Sequence, residues 1–237
     1  DGVNALFPAT PSASCLFDRL QVRLGSTLVE DIQDYGKLAH IMEMLSMSPQ
    51  KKMDMAQLGF GTQAASLDGS YFLADQHDAQ TIPASGSKRV YMKFDLSGLF
   101  SNAKGSWIPL FALGGQGLQI QLSLAPANQS MIISNAGTTY SQGYTLSDIR
   151  LLGDMISLSG ELQESYNAAL LNGTSLKIPI RSWEVLTNYL PADSGGNFDV
   201  AISKSYTRLA TLFATFNLNP PADNGTKAKI VNTNYFP

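Results

Sequence analysis

Apolar and polar residues alternate along this chain most clearly in two places. In Leu16 to Leu24, the residues Leu20, Val22 and Leu24 are separated by Gln21 and Arg23, and Gly25-Ser26 ends the run. In Leu118 to Leu124, the residues Leu118, Ile120, Leu122 and Leu124 are separated by Gln119, Gln121 and Ser123. A period of two puts each set on one face of an extended strand, so both segments are predicted to be half-buried strands. The polar face of the second carries no charge, which suits contact with another sheet or subunit. Weaker alternation predicts further strands at Val90 to Leu96, at Leu176-Ile178-Ile180, at Phe198-Val200-Ile202 and at Leu209 to Phe216.

Two stretches switch to helical spacing. After an extended Thr27-Leu28-Val29, Asp31 is placed to cap a helix carrying Ile32, Tyr35, Leu38, Ile41, Met42 and Leu45, which stops before Pro49. Later, the apolar segment Ile149 to Ile156 introduces a second helix. Ser159 caps it, Leu162, Tyr166, Ala169 and Leu170 form its buried stripe, and Gly173 supplies the left-handed residue past its end. Between Ser46 and Gly86 the chain is rich in Met, Gly and Asp with little period, which predicts a long surface excursion. Short strands punctuated by turns are the pattern of a sandwich or jelly roll.

The two predicted helices open on similar tetrapeptides about 130 residues apart, Asp31-Ile32-Gln33-Asp34 and Glu161-Leu162-Gln163-Glu164. Acids favour the first helical turn in any protein, so this match alone leaves duplication open. Because each helix follows an apolar stretch and precedes further strands, the economical reading is two similar all-β units, 1–140 and 145–237. A length of 237 residues accommodates two such units or one large domain.

Composition narrows the partners. Charged residues make up 15% of the chain against a norm of roughly 25%, and polar uncharged residues take their place. The net charge is -3, and no run of Lys and Arg could neutralise many phosphates, so direct or sequence-specific nucleic-acid binding is not expected. The aromatics Tyr71, Phe72, Tyr91, Trp107 and Trp183 lack interleaved basic residues and read as core or interface anchors. One cysteine, Cys15, excludes an internal disulfide and a Cys-based zinc cluster, and reads as a buried small side chain from a reducing compartment. No segment reaches the roughly 18 apolar residues of a membrane span. Asn128-Gln-Ser, Asn172-Gly-Thr and Asn224-Gly-Thr read as ordinary turns rather than glycosylation sites. The start at Asp1 and the stop at Pro237 are read as the ends of a processed or trimmed piece.

The residues that catalysis would need are sparse. His40 lies in the first predicted helix with no acid or nucleophile at a suggestive spacing, and His77 sits in Asp75-Gln76-His77-Asp78, too few ligands for a typical zinc site. No Gly-x-Ser-x-Gly elbow occurs. Gly114-Gly115-Gln116-Gly117 leads into a strand without the Lys-Ser or Lys-Thr of a phosphate loop, so it reads as a bend. Glu30, Asp31 and Asp34 read as first-turn helix acids rather than a glycosidase pair. No catalytic, cofactor-binding or metal-binding residue is therefore assigned, no cofactor is expected, and the chain is read as not an enzyme.

Against this background, several segments resemble a known family. Leu16-Phe17-Asp18-Arg19-Leu20-Gln21-Val22-Arg23 with the helix after it, Trp107-Ile108-Pro109-Leu110-Phe111-Ala112-Leu113-Gly114-Gly115 and the strand through Leu124 resemble the first jelly roll of major capsid proteins of Polinton-like viruses and adintoviruses. Ile149 to Ser157 with the helix through Leu171, and Ile202-Ser203-Lys204-Ser205-Tyr206-Thr207-Arg208-Leu209, resemble the second. The resemblance implies an all-β double jelly roll, two β-sandwich units side by side with short helices in the connections. It implies homotrimers as pseudo-hexameric capsomers in an icosahedral shell around double-stranded DNA, assembled inside the host cell, with penton and minor capsid proteins as further partners. Family members are longer than this chain. From another functional class, a carbohydrate-binding or adhesion module is the alternative that a β-sandwich allows.

Overall fold

The computed structural model describes residues 3–46, 48, 58–60, 82–101, 108–132, 134–135, 138–139, 141, 143–175, 177–178, 180–188, 199–202 and 208–214. A two-residue strand β1 (Phe7–Pro8) leads through a 3-10 turn at Ala13–Leu16 into β2 (Phe17–Leu24), and β3 (Thr27–Gln33) follows directly. With β4 (Leu118–Leu124) they form an antiparallel sheet in the order β3–β2–β4. Both strands predicted most clearly from alternation are therefore present, and they are neighbours.

The hairpin between β2 and β3 closes with Leu24 opposite Thr27. Gly25 turns the corner at φ +59°, a conformation that glycine adopts without steric cost. Leu20 lies opposite Ile32 on one side and Leu122 on the other, while Val22 lies opposite Glu30 and Ile120. Leu20, Val22 and Ile32 are fully buried on this face, and Gln119 and Gln121 on the other face are exposed. The ladders contain two bulges. Val22 faces Glu30 but Arg23 faces Leu28, leaving Val29 as an extra residue, and Phe17 faces Leu124 while Arg19 faces Ser123, leaving Asp18 extra. A bulge bends its strand and adds twist. At the Asp18 bulge the end of β4 leaves the core, and Leu124 is 55% exposed although its alternation matches that of Leu122.

β3 runs four residues further than the helix signal implied. Ile32 belongs to the sheet, and α1 (Tyr35–Leu45) begins only after Asp34, whose φ of +48° breaks the chain out of the strand. The competition was decided by burial. Ile32 gains a fully buried site opposite Leu20 in the sheet, whereas acids at a potential helix start contribute only tenths of a kcal/mol. Tyr35 and Ala39 of α1 then complete the core with Leu96 and Leu99. This also dissolves the repeat signal. Asp31-Ile32-Gln33-Asp34 ends a strand, while Glu161-Leu162-Gln163-Glu164 lies in the opening turns of α3 (Gly160–Leu171), which follows the one-turn helix α2 (Ala127–Ser130).

Smaller pairings surround the main sheet. β5 (Met131–Ile132) pairs with β1, and β6 (Ser134–Asn135) pairs with β7 (Thr138–Thr139). Small sheets and a few helices place the described chain in the all-β class. A second core unites Ala9, Ala13, Cys15, Leu16 and Phe60, flanked by Val90, Met92, Tyr144 and Leu146. Phe60 is 3% exposed, and its N–H donates to the Pro11 carbonyl at 2.7 Å, so the stretch between Ser46 and Gly86 is not wholly a surface excursion. The Tyr144 hydroxyl is 3.1 Å from both the Leu16 and the Ala125 carbonyl oxygens, which share its single proton, and so ties the start of β2 to the end of β4.

The weaker strand predictions fare differently. In 90–96, Val90, Met92 and Phe94 are half-buried and Leu96 buried while Tyr91, Lys93 and Asp95 point outward, yet the segment joins no ladder among the described residues. The described parts of the predicted strands after residue 175, namely 177–178, 180, 199–202 and 209–214, likewise join none; Leu176, Pro179, Phe198, Thr215 and Phe216 lie outside the described residues. Ile178, Ile180 and Trp183 instead pack against the core of the β3–β2–β4 sheet. That packing is close, since a Cβ on Gly98 would lie 2.1 Å from the Arg181 carbonyl oxygen.

Candidate functional site

Among the described residues, Glu30, His40 and Cys15 are buried groups whose chemistry could serve a site. Glu30 is 1% exposed on the core face of β3. Its carboxylate accepts hydrogen bonds from the Ser97 hydroxyl and, at 2.6 Å, from the Gly98 N–H, which pins the 97–100 turn to the sheet. Sequence reasoning missed this role because it read Glu30 as a helix acid. The signal was present in the alternation, which places Glu30 on the same face as Ile32.

His40 is 7% exposed in α1, and burial alone pushes its imidazole from the usual 6.5 down to about 4. It is neutral at physiological pH and is not among the residues that line the groove described below. Cys15 is fully buried, and desolvation raises its thiol to about 11 despite hydrogen bonding with Thr10. A thiol reagent reacts with the thiolate, and both the raised pKa and the lack of access suppress it. In native buffer at pH 8, Cys15 is expected to take up well under one equivalent of a chromogenic disulfide reagent over an hour, rising to one equivalent in denaturant. Rapid stoichiometric labelling of the native protein would contradict the buried position.

The remaining residues singled out from sequence are dispersed. Asp31 forms a two-pronged pair with Arg19 at 2.6 and 2.7 Å on the polar face of the sheet, and Asp34 accepts from Lys37 at 2.8 Å and from the Thr187 hydroxyl at 3.3 Å. The acids 30, 31 and 34 thus serve three separate contacts, and of the three only Asp34 stands at a helix start, where its carbonyl accepts from the Leu38 N–H at 3.0 Å. Gly114–Gln116 is a single 3-10 turn, and Gly117 at φ +59° carries the chain into β4 while its carbonyl accepts from the Gly25 N–H at 2.8 Å. His77 with its flanking acids, Tyr71, Phe72, Trp107 and Asn224 lie outside the described residues. Among the described residues there is no group of three or more His, Cys, Asp or Glu that could hold a metal ion, and no helix is long and apolar enough to cross a membrane.

The surface is more informative than the interior. An open groove of about 2780 Å³ runs between the irregular segment 85–95, the strand β4 and the irregular segment 143–158. No histidine or cysteine is among its described lining residues. At its rim Asp148 pairs with Arg150 at 2.9 Å and reaches Arg89 at 4.0 Å. Along the 149–156 wall Ile149, Leu151, Leu152, Met155 and Ile156 are between 57% and 81% exposed. The helix that follows buries none of its residues, so the predicted stripe is not buried: Leu162 and Tyr166 are exposed, and Ala169 and Leu170 only half-buried. Ser159 precedes it without a side-chain capping bond, and Gly173 ends it at φ +78° as predicted. Tyr166 meets Phe111 edge-on with ring centroids 5.9 Å apart, which joins the helix to the 110–112 turn. Apolar side chains exposed in such density are characteristic of interaction surfaces.

Comparison with known proteins agrees with that character. Residues 8–164, more than half of the chain, match the family model described as the major capsid protein N-terminus. No curated protein and no solved structure matches the chain significantly.

Proposed function

The chain belongs to the viral major capsid protein family, and from that premise we propose that it is the shell-building subunit of a double-stranded DNA virus of the Polinton-like or adintovirus type. A capsid protein works in the virion by associating with itself and with other capsid components, a structural rather than a catalytic task. In the proposed assembly each chain forms two jelly rolls, 1–140 and 145–237, and three chains make a pseudo-hexameric capsomer of an icosahedral shell. Penton and minor capsid proteins complete the vertices and seams.

The observation that carries this reading is the family match over residues 8–164, which contains the β3–β2–β4 sheet and both cores. Two physical features support it. A charged content of 15% leaves much of the surface inexpensive to desolvate when subunits pack. Large apolar side chains also stand exposed beyond residue 148, which a protein working as an isolated monomer rarely tolerates. Light scattering of the purified protein is expected to give the mass of a trimer, and electron microscopy of the same sample hexagonal outlines or shells. A strict monomer at every concentration and ionic strength would overturn the proposal.

A further inference from the structure

We infer that residues 180–187 form a strap that closes over the 97–100 turn and opens as a unit without unfolding the β3–β2–β4 sheet. The inference concerns contacts within one chain and does not depend on the capsid reading. The turn is built around a buried carboxylate. Glu30 accepts from the Ser97 hydroxyl and from the Gly98 N–H at 2.6 Å, and the Phe100 N–H donates to the Ser97 hydroxyl oxygen at 3.4 Å. The strap lies directly against this turn, for a Cβ on Gly98 would fall within 2.8 Å of the carbonyl oxygen, carbonyl carbon and nitrogen of Arg181. Gly98 is not among the glycines with left-handed φ, so its own conformation would accept alanine. The approach of a second stretch of backbone is what calls for glycine here.

On either side of Arg181, Ile180 and Trp183 pack against the core to which Leu96 and Leu99 belong. The far end is tied where the Thr187 hydroxyl donates to Asp34 at 3.3 Å, just ahead of α1. The strap thus runs from the turn to the start of α1. Its hold is light compared with that of the sheet beneath. Ile180, Trp183 and Val185 are only half-buried, the other five residues of the strap are exposed, and it joins no ladder among the described residues. Leu20, Val22 and Ile32 of the sheet, in contrast, are fully buried and paired. A segment with few buried apolar contacts and no ladder opens at lower free energy than the sheet it rests on. Opening would bring water to the bonds that Ser97 and Gly98 make with Glu30, so the strap is the seal of that buried contact.

Limited tryptic digestion of the full chain, read by mass spectrometry, tests this at Arg181, an exposed residue of the strap, with the exposed Arg150 as reference outside it. A protease cuts chain that has come off the fold, so cleavage at Arg181 follows the open population. Gly98→Ala places a methyl where the Arg181 backbone lies, and is expected to speed cleavage at Arg181 by about tenfold or more with the Arg150 rate unchanged. The control Gly115→Ala, whose added methyl meets nothing within 4 Å, should match the wild type at both sites. Hydrogen exchange in Gly98→Ala should rise across 180–187 and stay unchanged across β2 and β3. If Gly98→Ala does not fold, Trp183→Ala, which removes the largest side chain of the strap, takes its place with the same expectation. An unchanged Arg181 rate in a folded variant, an equal rise at Arg150, or failure of both variants to fold would each overturn the inference. Wild-type cleavage at Arg181 as fast as in a free peptide of that sequence would overturn it too, since the strap would then not be docked.

Discussion

Replacing Glu30 by alanine is expected to lower stability by about 3–5 kcal/mol. The carboxylate is 1% exposed and holds two donors, the Ser97 hydroxyl and the Gly98 N–H, at a point where the sheet, the 97–100 turn and the 178–183 segment converge. Alanine removes the acceptor and leaves both donors buried without their partner, and it also opens a cavity beside Val22. Gln is the informative companion. Its amide oxygen can accept from Gly98 and its amide nitrogen can donate to the Ser97 oxygen, so Glu30→Gln is expected to cost about 1–2 kcal/mol. Urea unfolding of both variants at pH 7 measures the difference. An alanine variant within about 1 kcal/mol of the wild type would mean that the buried contact contributes little to the fold.

The contrast between Glu30 and Leu118–Leu124 shows what a sequence of this kind discloses. Alternation located β2 and β4 to within a residue because their pattern is uninterrupted and both belong to one buried sheet. Helical spacing between Ser159 and Gly173 likewise gave the bounds of α3, though not the exposure of its apolar stripe. It failed at the join between β3 and α1, where Asp31 and Asp34 satisfy the local rules for a helix start but Ile32 is needed on the sheet. Local signals of a few tenths of a kcal/mol yield to the burial of a whole side chain.

The second half teaches the reverse lesson. The alternating residues at 176–180, 198–202 and 209–216 describe an amphipathic strand, but a strand exists only by pairing, and alternation does not identify a partner. Trp183 illustrates this. It packs half-buried against the first sheet's core and stacks near Phe213 at 5.8 Å, a contact between residues that no local pattern links. The candidate surface was hidden for the same reason. An apolar run such as Ile149 to Ile156 reads as buried until the coordinates show that the fold leaves it outside.

Acidification is expected to destabilise the folded chain between pH 6.5 and about 4 through one identifiable group. In the unfolded chain His40 takes up a proton near its ordinary value of 6.5, whereas burial in α1 delays protonation in the folded state to about 4. Above pH 6.5 both states carry a neutral imidazole, so His40 contributes no pH dependence there. As pH falls through the window the unfolded state binds the extra proton, so the stability of the folded state drops by about 1.4 kcal/mol per pH unit and about 3 kcal/mol in all. Below about 4 both states are protonated and this contribution levels off. Urea unfolding at half-unit steps from pH 7.5 to 4, for the wild type and for His40→Gln, isolates the effect: the slope is expected to be shallower in the variant even if its stability at pH 7 is lower. Parallel stability curves for the two proteins would show that His40 protonates as easily in the fold as in the unfolded chain, and would place α1 closer to solvent than its 7% exposure at this residue allows.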